Sequence, residues 1–249
     1  MTAGGGPPVR RTTRKKSLFL RLTIVFAVLL VVGAIGLAVA GVYAAKLVKQ
    51  EPTWWADADS ANTERAPERA RLLEQGITTA LHEPREGDEP WTVRMTDEDV
   101  NAWLEHRLES WAENRSMDVP SGFTAPRVRV IDGRVAVGIA SPDPRVPGIL
   151  TVEFTPEFSS AGELVAGNRS FTMGRLPLPN PEMLGRLSNT IKQQARGTPM
   201  QDVFDALLES GKSLPSNLTL SDQRRVSLRG LSLREDGSID LTLATAREQ

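Results

Sequence analysis

The chain has 249 residues and a formal net charge of −1, a length that fits one large domain or two small ones. It contains no cysteine, which excludes disulfides and thiolate chemistry. Residues 46–249 carry 24 basic and 31 acidic groups, a net charge of −7, and therefore lack the basic excess of a nucleic-acid binder.

The N-terminal region predicts a membrane anchor. Residues 1–17 contain a Gly/Pro tract followed by five basic residues, and residues 22–45 contain no charged side chain. This uncharged run exceeds the roughly 20 helical residues that cross a hydrocarbon core of about 30 Å. We therefore predict a basic cytoplasmic tail over 1–17 and a transmembrane helix over 18–47.

The flanking charges predict the orientation of this helix. Six basic residues and no acid lie before the apolar run, whereas Lys46 and Lys49 on the other side are followed by Glu51. By the positive-inside rule, the chain is a single-pass protein of the plasma membrane with an extracytoplasmic C-terminal domain. A signal peptide cleaved after Ala40 is the alternative, although the apolar run is longer than a usual h-region of about 7–15 residues.

Residues 48–60 are predicted to form a stalk. Pro52 is expected to end the membrane helix near Gln50. Trp54 and Trp55 fit the membrane interface, where amphipathic aromatic rings concentrate. The same two rings also fit a hydrophobic latch that inserts into the following domain, and the sequence leaves both placements open.

The remaining residues, 61–249, predict an α+β domain. A helix is expected over 66–82, where apolar residues recur at helical spacing behind a proline in the first turn. Residues 91–95 alternate as a short strand. A second helix, with Thr96 as its N-cap, is expected over the segment that ends at Trp111.

From Ala125 onwards the apolar period changes from 3.6 to 2. Residues 127–139 predict a hairpin around Asp132-Gly133, whose glycine supplies the positive φ of a type I′ turn. Residues 148–158 and 163–174 predict two more strands, which completes a four-stranded antiparallel meander.

The C-terminal part combines helices with a final hairpin. Residues 174–181 are predicted to form a proline-punctuated connector, followed by helices over 181–195 and 199–210. Residues 224–245 predict a hairpin that turns at Asp236-Gly237. This order of elements predicts one antiparallel sheet with amphipathic helices packed on one face.

Three consecutive acids at residues 97–99 raise the question of a metal site. Thr96 is a good N-cap, and Asp99 lies at N3, the position of the acid in a capping box. At about 100° per residue the three carboxylates fan over about 200° of the helix and do not converge on one ion. We interpret the acids as a helix cap and predict no metal site.

His106 is expected to be solvated, because it lies on the polar side of the predicted helix. The other histidine, His82, ends a different helix, and there is no HExxH pair, so a zinc site is not expected. There is also no G-x-S-x-G elbow, P-loop or dinucleotide fingerprint. We predict that the protein is not an enzyme and uses no cofactor; an envelope hydrolase using His106 is the less favoured alternative.

Asn101 and Arg107 are the predicted binding residues. Arg107 lies inside the apolar stripe of the second helix, which consists of Val100, Trp103, Leu104, Leu108 and Trp111. Either its stem packs while the guanidinium reaches water, or it forms a buried ion pair or binds an anion. Asn101, at the border of the stripe, either binds a ligand or ties a buried backbone group.

The order of membrane anchor, helix start, strand meander and strand-to-helix passage resembles the YpmS-like family of uncharacterised single-pass bacterial membrane proteins. The resemblance rests on the helix start TDEDVNAWL, with Val100-Asn101, and on the passage FTMGRLPLP, with residues 174–179, within about residues 95–190. It implies an extracytoplasmic bacterial domain and transfers no catalytic residue. The C-terminal hairpin is also similar to the endings of tubular lipid-binding domains of bacterial envelopes, whereas the long acidic segment before Trp91 departs from the YpmS-like pattern.

The sequence therefore predicts a membrane-anchored extracytoplasmic binding module of the cell envelope, for an apolar ligand or lipid. Alternating strands and amphipathic helices can enclose an apolar groove of this kind. The alternative is a scaffold or assembly factor with an envelope protein as its partner. Small-xxx-small pairs in the anchor, Gly36/Ala40 and Gly41/Ala45, are compatible with helix–helix contact in the membrane.

Overall fold

The structure, a computed structural model, describes most of the chain. The described residues are 14–58, 64–85, 89–114, 126–141, 148–160, 162–178, 200–209, 211–214, 216–220 and 222–247, with a few single positions between 185 and 197. Most of the helix predicted over 181–195 lies outside these residues. Contacts within the chain divide it into two units, Met1–Lys46 and Leu47–Gln249.

The first unit is formed by helix α1, Arg14–Lys49, which ends three residues into the second unit. Its 36 residues correspond to about 54 Å of helix, so α1 is longer than the predicted span of 18–47. Apolar side chains in its second half are exposed, for example Leu37 at 77%. By length and composition it is the one described helix that is long and apolar enough to cross a membrane.

The second unit confirms most of the predicted elements. Its helices are α2 (Thr53–Ala58), α3 (Ala66–His82), α4 (Asp97–His106), α5 (Leu108–Glu113) and α6 (Met200–Leu208). Its strands are β1 (Pro90–Thr96), β2 (Arg127–Ile131), β3 (Arg134–Ala140), β4 (Ile149–Phe158), β5 (Leu164–Met173), β6 (Leu176–Leu178), β7 (Asn217–Thr219), β8 (Arg224–Leu233) and β9 (Ser238–Arg247). The α+β class is therefore confirmed.

The strands form two antiparallel sheets, so the prediction of a single sheet is wrong. One sheet has the order β1-β9-β8-β7 and the other the order β2-β3-β4-β5-β6. Strand β1 pairs with β9 along its whole length, from Pro90 opposite Ala244 to Thr96 opposite Ser238. Local alternation of apolar residues indicates where a strand lies but not which distant strand it pairs with. The sequence therefore predicts one sheet instead of two.

The five-stranded sheet is the predicted meander with one additional strand. Asp132 and Gly133, both with positive φ (49° and 71°), form the turn between β2 and β3, which confirms the type I′ hairpin. The segment predicted as a connector contributes β6, where Pro177 is tolerated because β6 is an edge strand. One face of this sheet is apolar and packs against Phe204 and Leu207 of α6.

A second cluster, of Met95, Val130 and Ile239, packs strands β1 and β9 of the four-stranded sheet against β2 of the other sheet. Leu73 and Ile77 of α3 pack against this cluster. Helix α3 therefore covers the four-stranded sheet and α6 covers the five-stranded sheet. This arrangement corrects the expectation that the helices share one face of one sheet.

Candidate functional site

Asp99 forms the predicted capping box with Thr96 at the start of α4, whereas the other two acids, Asp97 and Glu98, bind residues outside the helix. Thr96 Oγ1 accepts a hydrogen bond from the Asp99 amide at 3.1 Å, and Asp99 Oδ2 accepts one from the Thr96 amide at 3.0 Å. Arg69 of α3 pairs with Glu98 at 2.7 Å and with Asp99 at 3.1 Å. Burial raises the pKa of Asp99, but the hydrogen bonds from Thr96 and Arg69 outweigh it, and the pKa is lowered overall.

Asp97 and Asn101 hold the free edge of β2. Asp97 Oδ2 accepts a hydrogen bond from the Val130 amide at 3.1 Å. Asn101 accepts one from the Val128 amide at 2.7 Å and donates one to the Val128 carbonyl at 2.8 Å. Four residues of helix rise about 6.0 Å and two residues of strand about 6.7 Å, so side chains at i and i+4 of α4 match every second residue of β2.

This geometry corrects the assignment of Asn101 to a ligand. Asn101 is 3% exposed, and both ends of its amide are bonded to Val128. Strand β2 is an edge strand, whose outward N–H and C=O groups have no neighbouring strand. Asn101 and Asp97 supply the missing partners, so their role is to close the sheet edge.

Arg107 forms an ion pair between helices. Its Nε lies 2.7 Å from Glu74 Oε2 of α3, with the two side chains 41% and 34% exposed, so the pair is not buried. The hydrogen bond to Glu74 raises the pKa of Arg107. Arg107 also separates α4 from α5 with φ −125°, so the predicted second helix is not continuous.

His106 is less solvated than expected. Its Nε2 atom is buried and has no hydrogen-bond partner within the described part of the chain. No group of three histidine, aspartate or glutamate side chains that could hold a metal ion occurs among the described residues. The tryptophans of this region, Trp103 and Trp111, are partly buried and meet edge to face at 5.8 Å.

Trp54 and Trp55 form a latch, which corrects their assignment to the membrane interface. They are 7% and 8% exposed and lie against the five-stranded sheet at Gly138. A Cβ at Gly138 would lie 2.6 Å from the Trp55 ring, so the rings require a glycine at this position. Arg127 lies 4.5 Å above the Trp55 ring and donates to the Trp55 carbonyl at 3.0 Å.

The predicted stalk is consequently part of the folded unit. Pro52 and Ala58 are buried as well, and the Arg175 amide donates to the Leu47 carbonyl at 2.9 Å. Gly174 has φ 57°, and a Cβ there would lie 2.3 Å from the Val48 carbonyl oxygen. The residues from 47 to 58 are therefore fixed to the domain and do not form a free linker.

A small apolar gap lies between α6 and the apolar face of the five-stranded sheet. Its volume is about 10 Å³, and its lining is entirely aliphatic or aromatic: Val137, Ile139, Leu150, Val152, Phe204, Leu207 and Leu208. This is room for about one water molecule, and nothing in the lining would hydrogen-bond it. The sequence indicated the strands and the helix separately, but not that their apolar sides meet.

Arg169 fixes the C-terminal end of α6, and the sequence analysis did not identify it. The register of β4 and β5 shifts between Glu153 and Thr155, and Asn168 in this bulge has φ 41°. Arg169 Nη1 donates to three carbonyls at the end of α6, those of Ala206 (3.4 Å), Leu207 (3.3 Å) and Glu209. These carbonyls have no partner inside the helix, and a cation is favourable there.

Ion pairs surround the same helix end. Lys192 and Lys212 pair with Asp205 and Glu209. The pKa of Glu209 is lowered mainly by its hydrogen bond from Lys192 and secondly by the one from Lys212. The same bond to Glu209 raises the pKa of Lys212. An open polar cleft of about 500 Å³ adjoins α6 here, lined in part by Asp202 and Asp205 of the helix.

The exposed face of the four-stranded sheet carries arginines. Asp240 accepts a hydrogen bond from Arg94 at 2.6 Å and another from Arg234 at 2.8 Å, and together they lower the pKa of Asp240 to about 2. Arg225 and Arg229 of β8 are exposed, and neither forms an ion pair with another described residue.

Comparison of the chain with protein-family models, curated proteins and solved structures found no match. The resemblance to the YpmS-like family therefore stays a prediction. Two features remain as candidates for a functional role, the apolar gap beneath α6 and the exposed arginines of β8.

Proposed function

We propose that the protein is a membrane-anchored extracytoplasmic binding module of the cell envelope, which takes a single acyl chain between α6 and the five-stranded sheet. The observation that carries the proposal is the gap described above, whose seven lining residues are all apolar. Helix α1 supports the anchoring part of the proposal, because it is long and apolar enough to cross a membrane.

Binding requires α6 to move. Ligand pockets typically have volumes of about 300–1,000 Å³, whereas the gap has about 10 Å³. Helix α6 supplies three of the seven lining residues, and β3 and β4 supply the other four. A displaced α6 would leave this apolar wall of the sheet in place, and an acyl chain would cover it instead of Phe204 and Leu207.

Photo-crosslinking tests the proposal on the full chain in phospholipid nanodiscs. The probe is hexadecanoic acid carrying a diazirine on its chain, and the crosslinked residues are mapped by mass spectrometry. We expect crosslinks at Val137, Leu150 or Val152, besides those in α1 that any membrane protein acquires. Crosslinks confined to α1 would refute the proposal.

A matched pair of variants separates specific from general labelling. Val137→Phe fills the gap, and Val93→Phe makes the same change at a partly buried position of the four-stranded sheet. Each substitution costs about 1–3 kcal/mol through overpacking, so both are checked for cooperative thermal unfolding. Labelling of β3 and β4 should disappear in the first variant and persist in the second.

The second candidate function is a scaffold for an envelope protein, and the exposed Arg225 and Arg229 favour it. An acidic partner surface would complement them. Arg225→Glu combined with Arg229→Glu should abolish a crosslinked complex of defined mass in intact cells, whereas Arg71→Glu on the exposed side of α3 should not. A complex that forms equally in both variants would exclude this docking face.

A further inference from the structure

We propose that Arg169 is the latch of α6 and that its bonds to the helix C-terminus control access of the acyl chain to the sheet. The inference rests on the proposed function, because it names how that same site opens. Arg169 is a positioning residue in this scheme: it contacts the helix and not the ligand.

Helix α6 depends on tertiary contacts for its stability. It has nine residues, and isolated helices below about 12–15 residues are marginal in water. Two kinds of contact join it to the sheet: the apolar packing of Phe204 and Leu207, and the polar contacts of its last turn. Among the described residues, its first turn is bonded only within its own segment, where Gln201 accepts a hydrogen bond from the Gly197 amide. An entering acyl chain can replace the first kind but not the second. Opening is therefore limited at the C-terminal end.

Among the polar contacts, those of Arg169 are made to the helix backbone itself and come from a strand of the sheet. One guanidinium nitrogen is shared by the carbonyls of Ala206, Leu207 and Glu209, and hydrogen bonds to a charged group are stronger than neutral ones. Lys212 is 51% exposed, and exposed ion pairs of this kind contribute little. Removal of Arg169 should therefore loosen the helix end more than removal of Lys212.

The bulge in β5 explains why Arg169 can reach the helix. An extra residue in a strand re-aims a side chain out of the regular alternation. Asn168, with φ 41°, is in the left-handed conformation that asparagine tolerates better than most residues. The bulge thus directs the Arg169 side chain of β5 towards α6, the helix that covers the apolar face of the same sheet.

An open polar cleft adjoins α6. The polar cleft of about 500 Å³ is bordered by Asp202 and Asp205 of the helix, and by Lys212 and Asn217 across from it. In the proposed opening, the bonds to Arg169 break and the last turn of α6 moves towards this cleft. The apolar side of the helix then leaves the sheet.

Hydrogen–deuterium exchange on the full chain in nanodiscs measures this opening without added fatty acid. Arg169→Met keeps the aliphatic stem and removes the donors. We expect the amides of residues 204–209 to exchange about tenfold faster or more, with those of β3 and β4 unchanged. Arg175→Met is the matched control, because Arg175 donates to the Glu51 carbonyl at 2.9 Å far from α6. It should leave the amides of α6 at the wild-type rate.

The diazirine-labelled hexadecanoic acid links the opening to binding. Its crosslinking to Leu150 and Val152 should appear about tenfold faster in Arg169→Met, and Arg169→Lys, which keeps one cation, should fall between this variant and the wild type. If the wild type is labelled but Arg169→Met changes neither amide exchange nor labelling rate, the latch is refuted while the proposed function stands. If neither protein is labelled at the sheet, the proposed function fails, and gated ligand access fails with it even if the amides of α6 respond.

Discussion

Replacing Asn101 by alanine is expected to lower the free energy of unfolding by about 2–6 kcal/mol. The substitution removes the partners of both the amide and the carbonyl of Val128, which Asn101 binds at 2.7 and 2.8 Å. A buried polar group without a partner costs about 1–3 kcal/mol, and two are created. Water does not restore them easily, because Asn101 is 3% exposed in the folded protein.

Urea unfolding of the full chain in detergent, followed by tryptophan fluorescence, measures this loss. Trp103, two residues from Asn101, reports on the same helix. Asn114→Ala is the control, because Asn114 is exposed at the end of α5 and should stay within about 0.5 kcal/mol of the wild type. If Asn101→Ala is as stable as Asn114→Ala, the side chain does not close the sheet edge and the argument fails.

Three further predictions concern stability. Hydrogen bonds from Arg94 and Arg234 lower the pKa of Asp240 to about 2. The contribution of Asp240 to the free energy of unfolding is therefore complete above about pH 4 and is lost as the pH falls towards 2. Wild type and Asp240→Asn should therefore differ most at neutral pH and converge in acid-unfolding curves below pH 3. Gly138→Ala places a Cβ 2.6 Å from the Trp55 ring and should cost about 1–3 kcal/mol, with a shift in tryptophan emission; an unchanged spectrum and midpoint would contradict the latch. Arg107→Ala breaks a partly exposed ion pair and should cost less than about 1 kcal/mol in urea unfolding; a larger loss would mean a buried role.

The elements that the sequence predicts correctly have local signals. The bounds of α3 follow from a proline in its first turn and one apolar stripe, and Asp132-Gly133 defines its hairpin through residues that adopt positive φ. The two partners of the capping box, Thr96 and Asp99, are only three positions apart. Each of these features depends on neighbours within one or two turns of chain, which is why sequence alone suffices.

The candidate site depends instead on contacts between distant segments. Two interpretations of Asn101 stayed open, because its partner Val128 lies 27 residues further on. Trp54 and Trp55 fit a bilayer surface and a sheet equally well until Gly138 is seen beneath them. The only sequence signal for Arg169 was an asparagine before it, and an asparagine does not reveal a bulge.

The distribution of these contacts indicates which part of the second unit can open. Asp97 joins three elements, since its carboxylate binds β2 at Val130 and its amide donates to Gly237 in the turn between β8 and β9. Val130 itself belongs to the core of the four-stranded sheet, so the two sheets are held together at the β2 edge by hydrogen bonds and by packing. Among the described residues, α6 is tied to the five-stranded sheet by the bonds of its C-terminal end with Arg169, and the chain that follows it by the bond of the Leu214 amide to the Leu164 carbonyl. Motion that exposes apolar surface should therefore occur at α6, while the relation between the two sheets is preserved.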